Sequence, residues 1–203
     1  MYGIAHSKLK RISDILLAAL AIVPLSPIMC AIAMAVKISS RGPVIFRQKR
    51  CGFDNRPFIM YKFRTMVAGA EHKGLGYELA RDDDRITGVG KILRSLSLDE
   101  IPQIVNVIKG DMSLIGPRPM IADQVAKLDQ KQITRQQARP GISGWAQVNG
   151  RNALSWGERI ELDVWYVENW SLPLDLTILW KTIFTVARRE GLYGADGVNK
   201  TIG

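Results

Sequence analysis

The stretch Arg94-Ser95-Leu96-Ser97-Leu98-Asp99-Glu100-Ile101-Pro102 sets two adjacent carboxylates where two helical patterns meet. Upstream, Val89, Ile92, Leu93 and Leu96 recur at helical spacing. Downstream, Ile101, Ile104, Val105 and Ile108 do the same, and Gly110 follows as a stop. Pro102 has no N–H to donate, which is harmless only among the first residues of a helix. The second helix is therefore predicted to start just before it, with Asp99 as N-cap and Glu100 as the first helical residue. A carboxylate there faces unpaired amides and the positive end of the helix dipole, which keep it ionised. Taken alone, Asp99 is a helix cap. The rest of the chain changes that reading.

The chain has 203 residues, enough for one domain with a core, and a net charge of +9. Such a surplus suits an anionic partner: nucleic acid, a phosphorylated substrate or an anionic membrane. Cys30 and Cys51 make no disulfide framework and no CxxC, and His6 and His72 lie in unrelated contexts, which argues against a zinc site.

From Ile15 to Val36 no residue is charged. About 22 residues make about 33 Å of straight helix, enough to cross a bilayer. Pro24 and Pro27 interrupt the run, and Ser26 before Pro27 is pushed away from the helical region, so a break at Ser26-Pro27 is expected. The Ser26 hydroxyl could satisfy a carbonyl that Pro27 frees. Basic residues flank both ends: Lys8, Lys10 and Arg11 before, Lys37, Arg41, Arg47, Lys49 and Arg50 after. Both ends therefore favour the cytoplasmic side. A re-entrant helix-break-helix fits both facts, with a kinked single span as the competitor and a soluble-core helix as the weakest reading, because the run is apolar on all faces.

Val44–Gln48 and Phe58–Met66 read as two strands joined by Gly52-Phe53-Asp54-Asn55. Alternation puts Lys62 and Arg64 on one face, either a solvated face or an anion site. Residues 67–88 read as a loop, and the run Asp82-Asp83-Asp84 within it as solvated, with a metal role as the minority view. Lys109 to Pro119 ends in a Gly-Pro turn that aims Arg118, and Arg139 to Asn152 holds three glycines, two arginines and amides that include Gln147. Glycines admit a ligand close to the backbone and arginines bind phosphate with two prongs. Neither a Walker loop nor a Rossmann fingerprint is present. Singly, each arginine is a surface residue; Arg94, Arg118 and Arg151 together favour phosphate.

Carboxylates among cations point to phosphoryl chemistry. Asp99 could hold Mg²⁺ or attack phosphorus itself, and Glu100 could orient a metal or move a proton. Asp163 is a further candidate that reads equally well as a helix-surface acid. Ser171, Pro173 and Asp175 mark a helix start, and Leu176, Leu179, Trp180, Ile183, Phe184 and Ala187 form its apolar stripe, closed by Arg188-Arg189. That stripe suits the membrane boundary or, for part of it, ordinary packing. Residues 120–138 read as a helix without a motif, and the tail 191–203 as polar and frayed.

These motifs resemble the monotopic phosphoglycosyl transferases, or bacterial sugar transferases, over nearly the whole chain. The resemblance lies in Ser26-Pro27, Tyr61-Lys62-Phe63-Arg64-Thr65-Met66, Arg94 to Glu100, Lys109 to Pro119, Arg139 to Asn152, and Asp163. The length is similar to minimal, catalytic-domain members. The resemblance implies a mostly helical α+β fold: a re-entrant membrane hairpin over 1–40, a catalytic domain over 41–190 with a small β-hairpin and amphipathic interfacial helices, and a tail over 191–203. It implies transfer of a sugar phosphate from a UDP-sugar to polyprenol (undecaprenyl) phosphate, releasing UMP, at the cytoplasmic face of a bacterial inner membrane. Asp99 would be the nucleophile and, with Mg²⁺, the metal ligand, and Glu100 the second essential acid. Lys62, Arg64, Arg94, Arg118, Gln147, Arg151 and Asp163 would serve the substrate. The partners implied are the UDP-sugar, the lipid phosphate and the phospholipid bilayer, with no nucleic acid; no motif sets the sugar or the oligomeric state. Two alternatives stay open: a non-catalytic, membrane-anchored polyanion binder, and direct attack by the lipid phosphate with Asp99 holding only metal.

Overall fold

The computed structural model describes residues 7–70, 79–80, 83–188 and 198–199; His6, His72, Asp82 and most of the expected tail lie outside the described residues. The element order is helix α1 (Lys8–Ser39), strands β1 (Ile45–Cys51), β2 (Pro57–Phe63) and β3 (Leu79–Ala80), helices α2 (Gly88–Ser95) and α3 (Gln103–Lys109), strand β4 (Ser113–Ile115), helix α4 (Ala122–Val125), strand β5 (Gly141–Ser143), helices α5 (Trp145–Val148), α6 (Trp156–Glu168) and α7 (Leu172–Ala187), and strand β6 (Val198–Asn199). The class is α+β and mostly helical, as the sequence reading expects.

Helix α1 is one continuous helix with Pro24 and Pro27 inside it, so the expected break at Ser26-Pro27 is not a break in the helix. Pro27 cannot donate to the carbonyl of Val23, and the Ser26 hydroxyl does so instead, at 2.8 Å. Packing does the rest. Lys10, Asp14, Ala18, Ile32 and Val36 are buried, and Ile22, Leu25 and Met29 continue their line between them. From Ala18 to Val36 this stripe, spaced by three or four residues, lies against α3, Met60, Met112 and Leu93. The other face is bare: Leu20 and Val23 are 73% and 72% exposed. Among the described residues α1 is the one helix long and apolar enough to cross a membrane.

Both ends of α1 are fastened to the same body. At the start, Lys10 Nζ lies 2.7 Å from Asp175 Oδ2, Asp14 accepts from Ser113 Oγ at 2.7 Å, and Arg11 donates to the carbonyls of Val107 and Ile108. At the end, Arg64 Nη2 donates to Ser40 O at 2.7 Å and its Nη1 to Arg41 O at 3.1 Å.

Strands β1 and β2 form the expected antiparallel hairpin, in register from Ile45 opposite Phe63 to Cys51 opposite Pro57. Asp54 and Asn55 make the turn with positive φ, a conformation their short polar side chains tolerate. β2 ends at Phe63, short of the expected Met66, and Thr65 O instead accepts from Thr87 N at the head of α2.

The joint between α2 and α3 differs from expectation. Ser97 adopts a left-handed conformation (φ 54°), and Leu98–Glu100 form a 3₁₀ turn. The N-cap of α3 is Pro102, so Asp99 stands a turn ahead of the helix and caps nothing. Gly110, left-handed at φ 96°, ends α3 as expected.

The two glycine-rich stretches meet as the parallel pair β4 and β5, Ser113 opposite Gly141 and Ile115 opposite Ser143. Their glycines serve that meeting rather than a ligand: a Cβ on Gly141 would lie 2.1 Å from Gly116 N, and one on Gly144 2.2 Å from Gly116 O. Residues 120–138 are not one helix but α4 and a 3₁₀ segment, Gln132–Gln137. Helix α7 buries Asp175 and Ile178 against Ile115, Tyr166 and Val167, and leaves Leu176, Trp180 and Ile183 exposed.

Candidate active site

Lys62, Arg64, Arg94, Asp99, Glu100, Arg118, Gln147, Arg151 and Asp163, far apart in sequence, all line one cavity of about 550 Å³. The hairpin brings Lys62, the α2 end brings Arg94, the 3₁₀ turn brings the two acids, the turn after β4 brings Arg118, and the α5 region brings Gln147 and Arg151.

The two neighbouring acids have unlike surroundings. Glu100 Oε1 accepts from Lys62 Nζ at 2.6 Å and from Arg118 Nη2 at 3.0 Å. Asp99 makes no hydrogen bond to any described residue; its nearest cation is Lys62, 4.0 Å from Oδ2. Burial pushes the Asp99 carboxyl above its ordinary value, with Lys62 pulling the other way and the charge of Glu100 adding to the rise. That overturns the expectation of a carboxylate stabilised at a helix N-terminus. Burial acts on Glu100 too, but Lys62 and Arg118 outweigh it and hold Glu100 well below the usual carboxylate range. Burial lowers the Lys62 ammonium, with Glu100 opposing, and the Glu100 charge raises Arg118.

The cations are set by the backbone around them. Arg94 donates from Nε to Thr65 Oγ1 at 2.7 Å. Arg151 donates from Nη2 to Ser97 Oγ at 3.3 Å. Ser97 and Arg151 are two of the four non-glycine residues with positive φ among the described residues, so the contact joins two strained positions at the cavity wall. Burial and the charge of Arg118 lower Arg151.

Three candidates are placed differently from expectation. Arg64 does not work beside Lys62, because its guanidinium caps the end of α1 while Lys62 holds Glu100. Asp163 is no helix-surface acid; it is 3% exposed and paired with Arg135 at 2.6 Å, and burial raises its carboxyl with Arg135 opposing. The solvated reading of the aspartate run fails at Asp83, buried in a salt bridge to Arg85. Sequence reasoning missed Arg135 and Arg159, both at the cavity, because neither sits in a recognisable local pattern. Gln147 has both amide atoms buried without a partner, beside Gly144.

Among the described residues no group of three or more His, Cys, Asp or Glu could hold a metal ion. Asp99, Glu100 and Asp163 are carboxylates of described residues that line the cavity; Glu100 gives Oε1 to Lys62 and Arg118, Asp163 gives Oδ2 to Arg135, and Asp99 accepts no hydrogen bond from a described residue.

The bacterial sugar transferase family model matches residues 5–189. The chain is 46% identical over 190 residues to the uncharacterized sugar transferase EpsL of Bacillus subtilis (strain 168), covering 94% of this chain and 93% of that one. It is 42% identical over 184 residues to the UDP-glucose:undecaprenyl-phosphate glucose-1-phosphate transferase of Escherichia coli (strain K12), covering 87% of this chain and 39% of the relative. It is 47% identical over 188 residues to a UDP-N-acetylgalactosamine-undecaprenyl-phosphate N-acetylgalactosaminephosphotransferase of Aeromonas hydrophila, covering 89% and 44%. The chain thus spans nearly all of the first relative and about two fifths of the other two. With a family model matched along most of its length, this chain belongs to the bacterial sugar transferases.

Proposed function

We propose that the protein transfers a sugar 1-phosphate from a UDP-sugar to undecaprenyl phosphate, with a phosphosugar ester on Asp99 as the intermediate. The observation that carries this reading is the division of labour between the acids: Glu100 is bonded to Lys62 and Arg118, while the Asp99 carboxylate is free to reach a ligand in the cavity. An Asp99 oxygen attacks the β-phosphorus, and the bond to the oxygen bridging the two phosphates breaks. That oxygen leaves on UMP. Arg94, Arg118 and Arg151 line the same cavity and would compensate the charge on the phosphates. An oxygen of the lipid phosphate then attacks the same phosphorus and frees Asp99, yielding a polyprenyl-diphospho-sugar. The Escherichia coli and Aeromonas hydrophila relatives are by name transferases of a sugar phosphate to undecaprenyl phosphate.

Mg²⁺ would sit on Asp99 together with substrate phosphate oxygens and water, as this ion commonly binds through one or two carboxylates. It would supply charge neutralisation on the diphosphate.

The membrane reading is that α1, unbroken, sets its bare face into one leaflet without crossing it, with the cavity on the cytoplasmic side of the inner membrane. Its two ends are tied to the same body by Lys10–Asp175 and by Arg64 on Ser40, which supports both ends lying on one side. The bare apolar faces of α1 and α7 would meet the bilayer, with Trp180 at its boundary.

The test is UMP release from UDP-sugars mixed with undecaprenyl phosphate, together with labelling by UDP-sugar carrying a radioactive sugar. Wild type should release UMP and carry label on Asp99; Asp99→Asn should do neither. A fully active Asp99→Asn, or no isotope exchange between UMP and UDP-sugar in the absence of lipid, would remove the covalent step.

A further inference from the structure

Asp163 reads from sequence as a substrate ligand, but its contacts assign it different work. Its Oδ2 accepts two bonds from Arg135, from Nη2 at 2.6 Å and from Nε at 3.2 Å. The same Nη2 donates to the backbone carbonyl of Arg118 at 2.7 Å. The Asp163 Oδ1 atom is buried and has no partner, and Arg135 is 2% exposed. Oδ2 is thus committed to Arg135, and Oδ1 is enclosed without a partner among the described residues. A bare carboxylate at this wall would also repel a diphosphate, and Arg135 cancels that charge.

Arg118 explains why such a pair is needed. Its side chain is 49% exposed, yet its Nη2 holds Glu100 at 3.0 Å. A long exposed side chain has many rotamers, so its aim depends on where its backbone is anchored. Arg135 supplies that anchor, and its planar fork bonds a carboxylate and a carbonyl together, which an ammonium on a flexible stem does less well. The 3₁₀ segment Gln132–Gln137, helix α6 and the turn after β4 thereby converge on one guanidinium.

We infer that Arg135 and Asp163 are a positioning pair that fixes the Arg118 backbone, and so keeps the Arg118 guanidinium on Glu100, without touching substrate. The inference rests on the transfer reaction proposed above only for its kinetic readout.

Removing one partner would strand a buried charge. The variants are therefore Arg135→Lys, which keeps the charge, and the paired Arg135→Gln/Asp163→Asn, which removes both charges. Gln136→Ala, buried beside Arg135 but off the cavity wall, reports the effect of lost stability alone. In both test variants kcat for UMP release should fall about tenfold or more, with KM for the UDP-sugar changed less than about threefold. In an Arg118→Gln background the same changes should cost no more than about a further twofold, because the step they act through is already gone. Amide hydrogen exchange over residues 116–120 should accelerate in both variants and stay unchanged in Gln136→Ala. A raised KM at unchanged kcat would make Asp163 a substrate contact and overturn the inference. So would losses that multiply with Arg118→Gln, activity that merely tracks melting temperature as in Gln136→Ala, or unaltered exchange over 116–120. Wild-type UMP release is the separate control: its absence would sink the proposed reaction, while the exchange measurement would still judge the pair.

Discussion

Lys62 Nζ and Asp99 Oδ2 stand 4.0 Å apart, close enough to feel each other's charge and too far for a hydrogen bond. The ammonium is spent on Glu100 at 2.6 Å. It thus steadies Asp99 electrostatically while leaving the carboxylate bare, as a nucleophile requires. Lys62→Met should lower UMP release by about a hundredfold, the scale of losing one charge-stabilising donor at a reaction centre. Arg118 remains on Glu100, so the variant should still fold. Initial rates and a thermal melt check this; a loss below about threefold would show that Lys62 serves only the fold.

Much of this site was legible in the chain. The hairpin followed from period-two alternation around a Gly-Asp-Asn turn, and the stop at Gly110 from its left-handed freedom. The acid pair stood out because Asp99 and Glu100 lie among arginines that rigid residues frame, and those arginines line one cavity. What stayed hidden depends on contacts between distant residues. Arg135 has no local pattern, and its partners lie 28 and 17 residues away. Ser97 gave no sign that it would turn left-handed, and that turn takes Asp99 off the helix end. Gly141 and Gly144 looked like ligand-approach residues, yet they let their backbone touch that of Gly116. Pro24 and Pro27 argued for a break on local grounds, and a packed stripe from Lys10 to Val36 outweighs them.

The Ser26–Val23 bond gives a clean test of how α1 tolerates proline. Ser26→Ala leaves the Val23 carbonyl without the donor that replaces the Pro27 amide. The expected cost is about 1 kcal/mol, read as a fall in melting temperature in detergent. Pro27→Ala restores an N–H at the right place, so Ser26→Ala should cost distinctly less in that background. Equal costs in both backgrounds would show that the hydroxyl is not what satisfies the carbonyl.

At the start of α1 the fastening is ionic and buried. Asp175 accepts from Lys10 Nζ at 2.7 Å, Tyr166 Oη at 2.7 Å and Trp170 Nε1 at 3.1 Å. Asp175→Ala would leave the Lys10 ammonium only the more distant Asp14, 4.0 Å away, and the Tyr166 hydroxyl one partner short. A loss of about 3 kcal/mol, or roughly 6–12 °C in melting temperature, is expected. Limited proteolysis should then cut α1 more readily near its N-terminal end. A shift of about 1 °C would mean that the network forms without contributing to stability.

The Asp83–Arg85 clasp fixes a pH dependence of stability. Asp83 Oδ2 lies 2.6 Å from Arg85 Nη2, its Oδ1 accepts from Arg85 Nε and N, and Arg85 Nη1 reaches Ala70 O at 3.0 Å. The Arg85 hydrogen bonds, against the opposing effect of burial, hold the Asp83 carboxyl below its ordinary value. A carboxyl depressed in the folded state contributes stability that is fully present above its unfolded pKa, about 3.9, and is lost as pH falls through the folded value. Asp83→Asn keeps the shape and removes the charge. The melting temperature of wild type should therefore exceed that of Asp83→Asn above about pH 5, and the gap should close as the pH drops below about 4. Because both proteins share every other titrating group, the difference isolates this pair. A gap that stays constant from neutral pH down to about pH 3 would show that the ionised form of Asp83 contributes nothing.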